Sequence, residues 1–150
     1  MDWLYHLLLS DRWPTGSHGS TFGGNPVACA AGLATLDVMK EENVLENAAK
    51  VGAYMAQRIM NEQSNLPLIA GVRGRGMMIA ADLKNKDGKP ISMAQHKQVI
   101  HDIAENGVIV TKTGACGLRL APSLNLSQQQ ADEALDIIFD VLHELSPQLY

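Results

Sequence analysis

The chain has 150 residues, enough for a compact domain with a core. Hydrophobic residues make up 46% of it and charged residues 19%, which excludes a disordered or fibrous protein. The 12 basic and 16 acidic residues give a net charge of -4 without a Lys/Arg cluster, which argues against a nucleic-acid or anionic-membrane partner. Cys29 and Cys116 are far apart in sequence, so we expect reduced thiols in a cytoplasmic protein.

An apolar run at residues 3–9 opens the chain, but it does not fit a signal peptide. The run is short, it follows the acidic Asp2 instead of a basic stretch, and no small-residue cleavage site comes after it. It is also too short to span a membrane. We expect this segment to pack against an apolar surface.

Residues 16–26 form a loop of small, hydroxylated and glycine residues that leads into an apolar helix. Glycines let the backbone approach a ligand, Ser20 and Thr21 offer hydroxyl donors, and a helix start presents unpaired N–H groups. Asn25 fits the N-cap and Pro26 the first helical position. The loop predicts an anion site, and a mobile surface loop is the alternative.

Apolar spacing and turn residues predict the remaining elements. Residues 26–39 are nearly all apolar or small and predict a buried helix. The next helix carries one apolar stripe, made of Val44, Ala48, Val51, Met55 and Ile59.

Three strands are expected at residues 77–83, 108–111 and 118–121. Capping-box patterns begin two further helices, one at Ser92 with Gln95 and one at Ser127 with Gln130. The order is two helices followed by β-α-β-β-α, which predicts an α/β fold with a small sheet covered by helices on one face.

Residues 18–31, HGSTFGGNPVACAA, resemble the segment that precedes the interdomain helix in class III aminotransferases, the pyridoxal-phosphate (PLP) enzymes that include acetylornithine, ornithine and 4-aminobutyrate aminotransferases. The resemblance extends from about Asp11 to the C-terminus. It implies the interdomain helix and C-terminal small domain of a fold type I PLP enzyme. The implied division is an N-terminal remnant with the phosphate-binding loop at residues 1–25, the interdomain and following helix at 26–62, and the small domain at 63–150.

The same resemblance assigns roles to three residues. Ser20 and Thr21 match the family residues that reach the phosphate of PLP held by the other subunit of a homodimer. Residues 118–122, LRLAP, match a motif whose arginine, here Arg119, binds a substrate carboxylate. From residue types alone, Arg119 is either on the wet face of a strand or a two-point carboxylate ligand. The glycine-rich segment at residues 71–79 is similar to the family's first strand of this domain, with Arg73 and Arg75 either surface charges or packing residues.

The chain departs from the family in one respect. The lysine that bonds to PLP and the acid that pairs with its pyridine nitrogen lie upstream of the loop in the family, whereas no lysine precedes Lys40 here. No catalytic residue is therefore assigned, and the histidine spacing predicts no metal site.

Two hypotheses follow from this departure. In the first, the chain is the C-terminal part of an aminotransferase that moves an amino group from an amino acid, often an ω-amino acid, to a 2-oxo acid, with a large domain or second subunit as partner. In the second, it is a truncated, non-catalytic module that at most binds phosphate or dimerises.

Overall fold

The computed structural model describes residues 19–149, so the apolar run at residues 3–9 and the first part of the predicted loop lie outside the described residues. The chain divides into two compact units, Met1–Val38 and Met39–Tyr150. The helices and strands are α1 (Pro26–Glu41), α2 (Val44–Glu62), β1 (Ile69–Arg75), β2 (Met78–Leu83), α3 (Met93–Glu105), β3 (Thr111–Thr113), β4 (Gly117–Leu120) and α4 (Gln128–Leu149).

The four strands form one antiparallel sheet in the order β1-β2-β4-β3. The α/β class and the small sheet are therefore confirmed, but the sheet has one strand more than the three predicted from spacing. The additional strand is β1, which pairs with β2 in a hairpin that turns at Gly76 and Met77. The glycine-rich segment does form a strand, and its two arginines alternate with glycines along it.

The strand predicted at residues 108–111 is placed differently. Strand β3 begins only at Thr111 and pairs with β4, although its residues are polar. Val110 is buried in the core without a position in a strand, and Ile109 is exposed. Packing of Val110 into the core and of the partly buried Val108 against it, not strand pairing, accounts for the apolar character of this segment.

One face of the sheet is buried against helices α2, α3 and α4. All five residues of the predicted α2 stripe are buried, and Val99 and Ile103 of α3 join the same core. The inward strand positions are occupied by Ile79, Ala81, Leu83, Leu118 and Leu120. Both predicted capping boxes are present, at Ser92 with Gln95 and at Ser127 with Gln130.

A charged cluster joins α2 to α4 at the edge of this core. The Arg58 guanidinium binds Asp132 at 2.5 Å and also Asp136, and it lies 5.7 Å from the centroid of the Phe139 ring. The Tyr54 hydroxyl donates a 2.5 Å hydrogen bond to the same Asp132 carboxylate, which raises the pKa of Tyr54. These contacts fix the relative position of two helices that also share apolar contacts.

Helix α1 differs from its prediction in burial. None of its residues is buried, and the large apolar side chains Val27, Leu33 and Leu36 are each more than 60% exposed. Its start does follow the prediction, because the Asn25 Oδ1 accepts a hydrogen bond from the Ala28 N–H at 2.9 Å, with Pro26 in the first turn. In this chain, α1 presents an apolar surface to solvent.

Glycine is required where α2 passes the hairpin turn. A Cβ on Gly52 would lie 2.0 Å from the carbonyl oxygen of Gly76, a contact with backbone that cannot move aside easily. Gly76 itself has a φ of 56°, in the left-handed region that favours glycine. The helix can approach the turn this closely because Gly52 lacks a side chain, and Gly76 provides the left-handed backbone conformation of the turn.

A buried histidine connects α3 to β4. The His96 side chain is 1% exposed, and its Nε2–H donates to the Gly117 carbonyl oxygen over 3.1 Å. Burial lowers the pKa of His96 below its ordinary value, the hydrogen bond to Gly117 acts in the opposite direction, and the Lys112 charge lowers the pKa further. The ring is therefore held neutral in the folded chain.

We expect Gly52→Ala to destabilise the chain by about 1–3 kcal/mol, because the added methyl group overpacks the contact with Gly76. Gly32→Ala in α1 is the matched control, since it also replaces a helical glycine but has no atom within 4 Å of the added Cβ. Urea unfolding of both variants measures the difference. Equal effects from the two substitutions would contradict the close-approach explanation.

We expect the free energy of unfolding to fall as the pH drops below about 6.5, the ordinary histidine pKa. The unfolded chain binds a proton at His96 at a higher pH than the folded chain does, so acid favours the unfolded state throughout that window. Above pH 6.5, the stability contributed by the neutral, buried His96 is fully present. His96→Gln should flatten the pH dependence in urea titrations, whereas His101→Gln, an exposed position on the same helix, should retain it.

Candidate functional site

The loop before α1 is organised by its own side chains. The Ser20 Oγ accepts a hydrogen bond from the Gly23 N–H at 2.9 Å, and the Asn25 side-chain amide donates to the Phe22 carbonyl at 2.6 Å. Gly24 adopts a φ of 75° between these two turns. The result is a tight backbone path that ends at the capped start of a helix.

Ser20 and Thr21 are both exposed on this loop. Because the Ser20 oxygen acts as an acceptor toward Gly23, its hydroxyl proton remains available for donation to another group. Hydroxyl donors beside a helix N-terminus suit a phosphate, which offers acceptor oxygens and negative charge. The donor set thus fits the phosphate end of PLP.

The remainder of a PLP site is not supplied by the described residues. A lysine that bonds to the cofactor needs a desolvated position, or a neighbouring cation, that lowers its pKa. None of the seven lysines is buried, and all of them lie between Lys40 and Lys112. The chain provides donors for a phosphate and no residue suited to the covalent bond.

The outer face of the sheet carries the other predicted site residue. Arg119 is exposed on β4, in register with Ala80 on one side and Thr111 on the other. Its neighbours Leu118 and Leu120 point into the core. Within residues 19–149, Arg119 forms no ion pair, so its planar set of donors is available for an external carboxylate.

A second arginine on this face is already bound. Arg73 on β1 contacts the Asp82 carboxylate at two points, with Nε at 3.0 Å and one terminal nitrogen at 3.2 Å. The hydrogen bond and the charge of Asp82 raise the pKa of Arg73. The sequence left Arg73 as either a surface charge or a packing residue. In the structure it is an exposed charge that binds one partner, Asp82.

An apolar groove of about 700 Å³ lies elsewhere on the second unit. It runs between the small residues of α2, the hairpin turn and the segment after β4. Arg75 is the charged residue among those that line it. Neither Arg119 nor the loop residues Ser20 and Thr21 line the groove, so it does not coincide with either predicted site.

The predicted site residues thus occupy two places. Ser20 and Thr21 belong to the first compact unit, and Arg119 belongs to the second. Sequence reasoning missed the pair of Arg73 with Asp82. The signal that could have found it is the hairpin itself, because reading residues 69–83 as two paired strands places both side chains on one face.

No cluster of three or more histidine, cysteine or acidic side chains in the described part of the chain could hold a metal ion. Cys29 is an exposed free thiol and Cys116 a buried one. Between residues 19 and 149, no helix combines the length and apolar character that a membrane span requires.

Known proteins share this sequence and this fold. Residues 8–142 match the model of the family described as aminotransferase class III. The acetylornithine aminotransferase of Bifidobacterium longum is 44% identical over 137 residues, which cover 91% of this chain and 30% of that protein.

Two solved structures illustrate the similarity in fold. Acetylornithine aminotransferase from Elizabethkingia anophelis superimposes with a TM-score of 0.75 at 33% identity, covering 85% of this chain and 32% of that one. An amine transaminase from an uncultivated Pseudomonas species, solved in its PLP-bound form, gives a TM-score of 0.77 at 31% identity, covering 85% and 29%.

The chain therefore spans about 30% of the length of the curated relative it matches. The family match covers residues 8–142, and the two structural matches each cover 85% of the chain. On this basis, the chain belongs to the class III aminotransferase family.

Proposed function

We propose that this chain is the C-terminal part of a PLP-dependent class III aminotransferase. The whole protein would transfer an amino group from an amino acid, including ω-amino acids, to a 2-oxo acid. One observation carries the proposal: two exposed hydroxyl side chains, Ser20 and Thr21, stand directly before a capped helix start in a segment that matches the family. We retain residues 1–25, 26–62 and 63–150 as the proposed functional divisions.

In this proposal, Ser20 and Thr21 bind the phosphate of PLP. The Ser20 oxygen is oriented by the Gly23 N–H, which leaves its proton to be donated to a phosphate oxygen. PLP, when bound, supplies an electron sink for carbanion chemistry. The contribution of this loop is to hold and orient the cofactor through its phosphate.

Arg119 is the proposed ligand of a substrate carboxylate. Its position is fixed by two strand neighbours, Ala80 and Thr111, while its guanidinium is exposed. Two parallel N–H donors match the two oxygens of a carboxylate, which distinguishes arginine from lysine at such a site. Binding there would orient an amino acid or 2-oxo acid relative to the cofactor.

Helix α1 supports the proposed partner, a large domain or second subunit of an aminotransferase homodimer. Its small side chains allow a neighbouring surface to approach closely, and its exposed Val27, Leu33 and Leu36 would be buried by that surface. A cytoplasmic location remains our expectation for the whole protein.

A second candidate is a non-catalytic module that binds phosphate or pairs with another subunit. The observation that favours it is the set of lysines, none of which is buried or precedes Lys40. The two candidates differ in whether the chain takes part in amino transfer once the rest of an aminotransferase is present.

We expect the purified 150-residue chain to show no amino transfer with PLP and an amino donor. Reduction with borohydride should give only scattered labelling of exposed lysines, because none lies in a desolvated site. Mass spectrometry of the labelled peptides and a turnover assay measure both. A single lysine labelled stoichiometrically, together with turnover, would rule out the non-catalytic module.

In a complete aminotransferase that carries this segment, Thr21→Ala should weaken PLP binding roughly 10- to 150-fold, the equivalent of one hydrogen bond to a charged group. Thr35→Ala is the matched control, since the Thr35 hydroxyl donates within α1 to the Ala31 carbonyl. Equilibrium titration with PLP checks both variants. Unchanged PLP affinity in Thr21→Ala would remove the assignment of this residue.

A further inference from the structure

The outer face of the sheet places two arginines around one carboxylate. Asp82 is the single acidic residue in the four strands of residues 69–120. Its direct partners are Gly71 on β1 and Gly117 on β4, neither of which has a side chain. Arg73 lies two residues beyond Gly71, and Arg119 two residues beyond Gly117.

The register therefore makes both arginines diagonal neighbours of Asp82. Diagonal positions on adjacent strands are about 7–8 Å apart, within reach of long side chains. Ala80 pairs with Arg73 on one side and with Arg119 on the other, and its side chain is only a methyl group. By register alone, Asp82 could bind either guanidinium.

The structure shows which arginine Asp82 binds. Arg73 contacts both carboxylate oxygens, at 3.0 Å and 3.2 Å, whereas Arg119 forms no ion pair with any residue in the range 19–149. The Arg73 side chain also extends toward the turn after β3, where a Cβ on Gly114 would lie 3.9 Å from it. The guanidinium of Arg73 thus covers the carboxylate from across the sheet.

Gly117 is part of the same arrangement. A Cβ at this position would lie 2.6 Å from the Asp82 Oδ1 and 2.7 Å from the carbonyl oxygen of Thr113. The carboxylate therefore rests over the backbone of β4, the strand that carries Arg119. Because the Asp82 carboxylate lies this close to β4, its choice of partner affects the surroundings of Arg119.

We propose that Arg73 is a positioning residue: its two-point contact keeps the Asp82 carboxylate from Arg119, which leaves the Arg119 guanidinium for a substrate carboxylate. The inference rests on the function proposed above for Arg119. Without Arg73, Asp82 would turn to the second arginine and compete with any carboxylate ligand. The specificity of the site for an external anion would then depend on a residue that does not touch that anion.

The test uses the isotope-labelled 150-residue chain and follows the arginine Nε–H signals by NMR. In the unmodified chain, exchange with water should be slower for Arg73 than for Arg119. In Arg73→Gln, exchange at Arg119 should slow, and the response of Arg119 to added 2-oxoglutarate should weaken roughly 1.5- to 5-fold, as for competition by an exposed ion pair. In Arg73→Gln with Asp82→Asn, both properties should return to their original values.

The double variant separates positioning from a structural role. Loss of a structural ion pair would not be repaired by removing its second partner, so failure of the double variant to restore Arg119 would overturn the proposal. Unchanged exchange at Arg119 in Arg73→Gln would also overturn it. If Arg73→Gln alters the backbone amide spectrum, Arg73→Ala replaces it in the single and the double variant. Slower exchange at Arg119 that Asp82→Asn reverses is again the expected result, and unchanged exchange would overturn the proposal.

The proposed function and this inference fail in different ways. If 2-oxoglutarate shifts no Arg119 signal in the unmodified chain or in the double variant, Arg119 is not a carboxylate ligand. The exchange of the Arg119 Nε–H in the two variants still shows whether Asp82 changes its partner. The 2-oxoglutarate titration therefore tests the proposed function of Arg119, and the exchange of its Nε–H with water tests the role of Arg73.

Discussion

Burial of a single face of the sheet is the constraint on which the second unit depends. Helices α2, α3 and α4 contribute apolar residues to one core, and the inward positions of β2 and β4 complete it. Strand alternation then determines every outward position, since successive side chains point to opposite faces. The same packing that buries Leu118 and Leu120 exposes Arg119.

Contacts at the edges of this core set its geometry. Gly52 lets α2 approach the hairpin turn, and the Arg58 cluster holds α2 to α4. His96 joins α3 to the carbonyl of Gly117, the residue over which the Asp82 carboxylate lies. The position of β4, and with it the position of Arg119, is therefore supported from both faces of the sheet.

The described residues of the first unit are organised by local hydrogen bonds and not by a buried core. Its loop is held by local hydrogen bonds from Ser20 and Asn25, and these contacts form between residues only three apart. Helix α1 then presents an apolar surface that residues of its own helix cannot cover. The phosphate contact proposed for the loop and the exposed apolar residues of α1 are consistent with a chain that spans about 30% of its relative's length.

On the outer sheet face, we propose that a charge arrangement affects function without itself binding a ligand. Arg73 and Asp82 satisfy each other, and an exposed pair of this kind contributes little to stability, about 0–1 kcal/mol. The effect proposed on the neighbouring Arg119 is of the same order, since it also arises from an exposed ion pair. In this proposal, the importance of Arg73 lies in keeping Asp82 from pairing with Arg119.

Local sequence patterns were sufficient for the features that depend on neighbours along the chain. The α2 stripe, the two capping boxes and the Asn25 cap all follow from spacings of three or four residues, and the structure has each of them. The family resemblance came from the same kind of local motif. The roles of Ser20, Thr21 and Arg119 remain predictions that these motifs support.

Strand pairing and burial were decided only by the tertiary structure. The hairpin of β1 with β2 and the late start of β3 depend on hydrogen bonds between strands, which spacing along one strand does not encode. The exposure of α1 depends on which surfaces are present to cover it. The choice of Asp82 between two arginines depends on contacts across three strands, so the sequence determined which charges exist and the fold determined which of them meet.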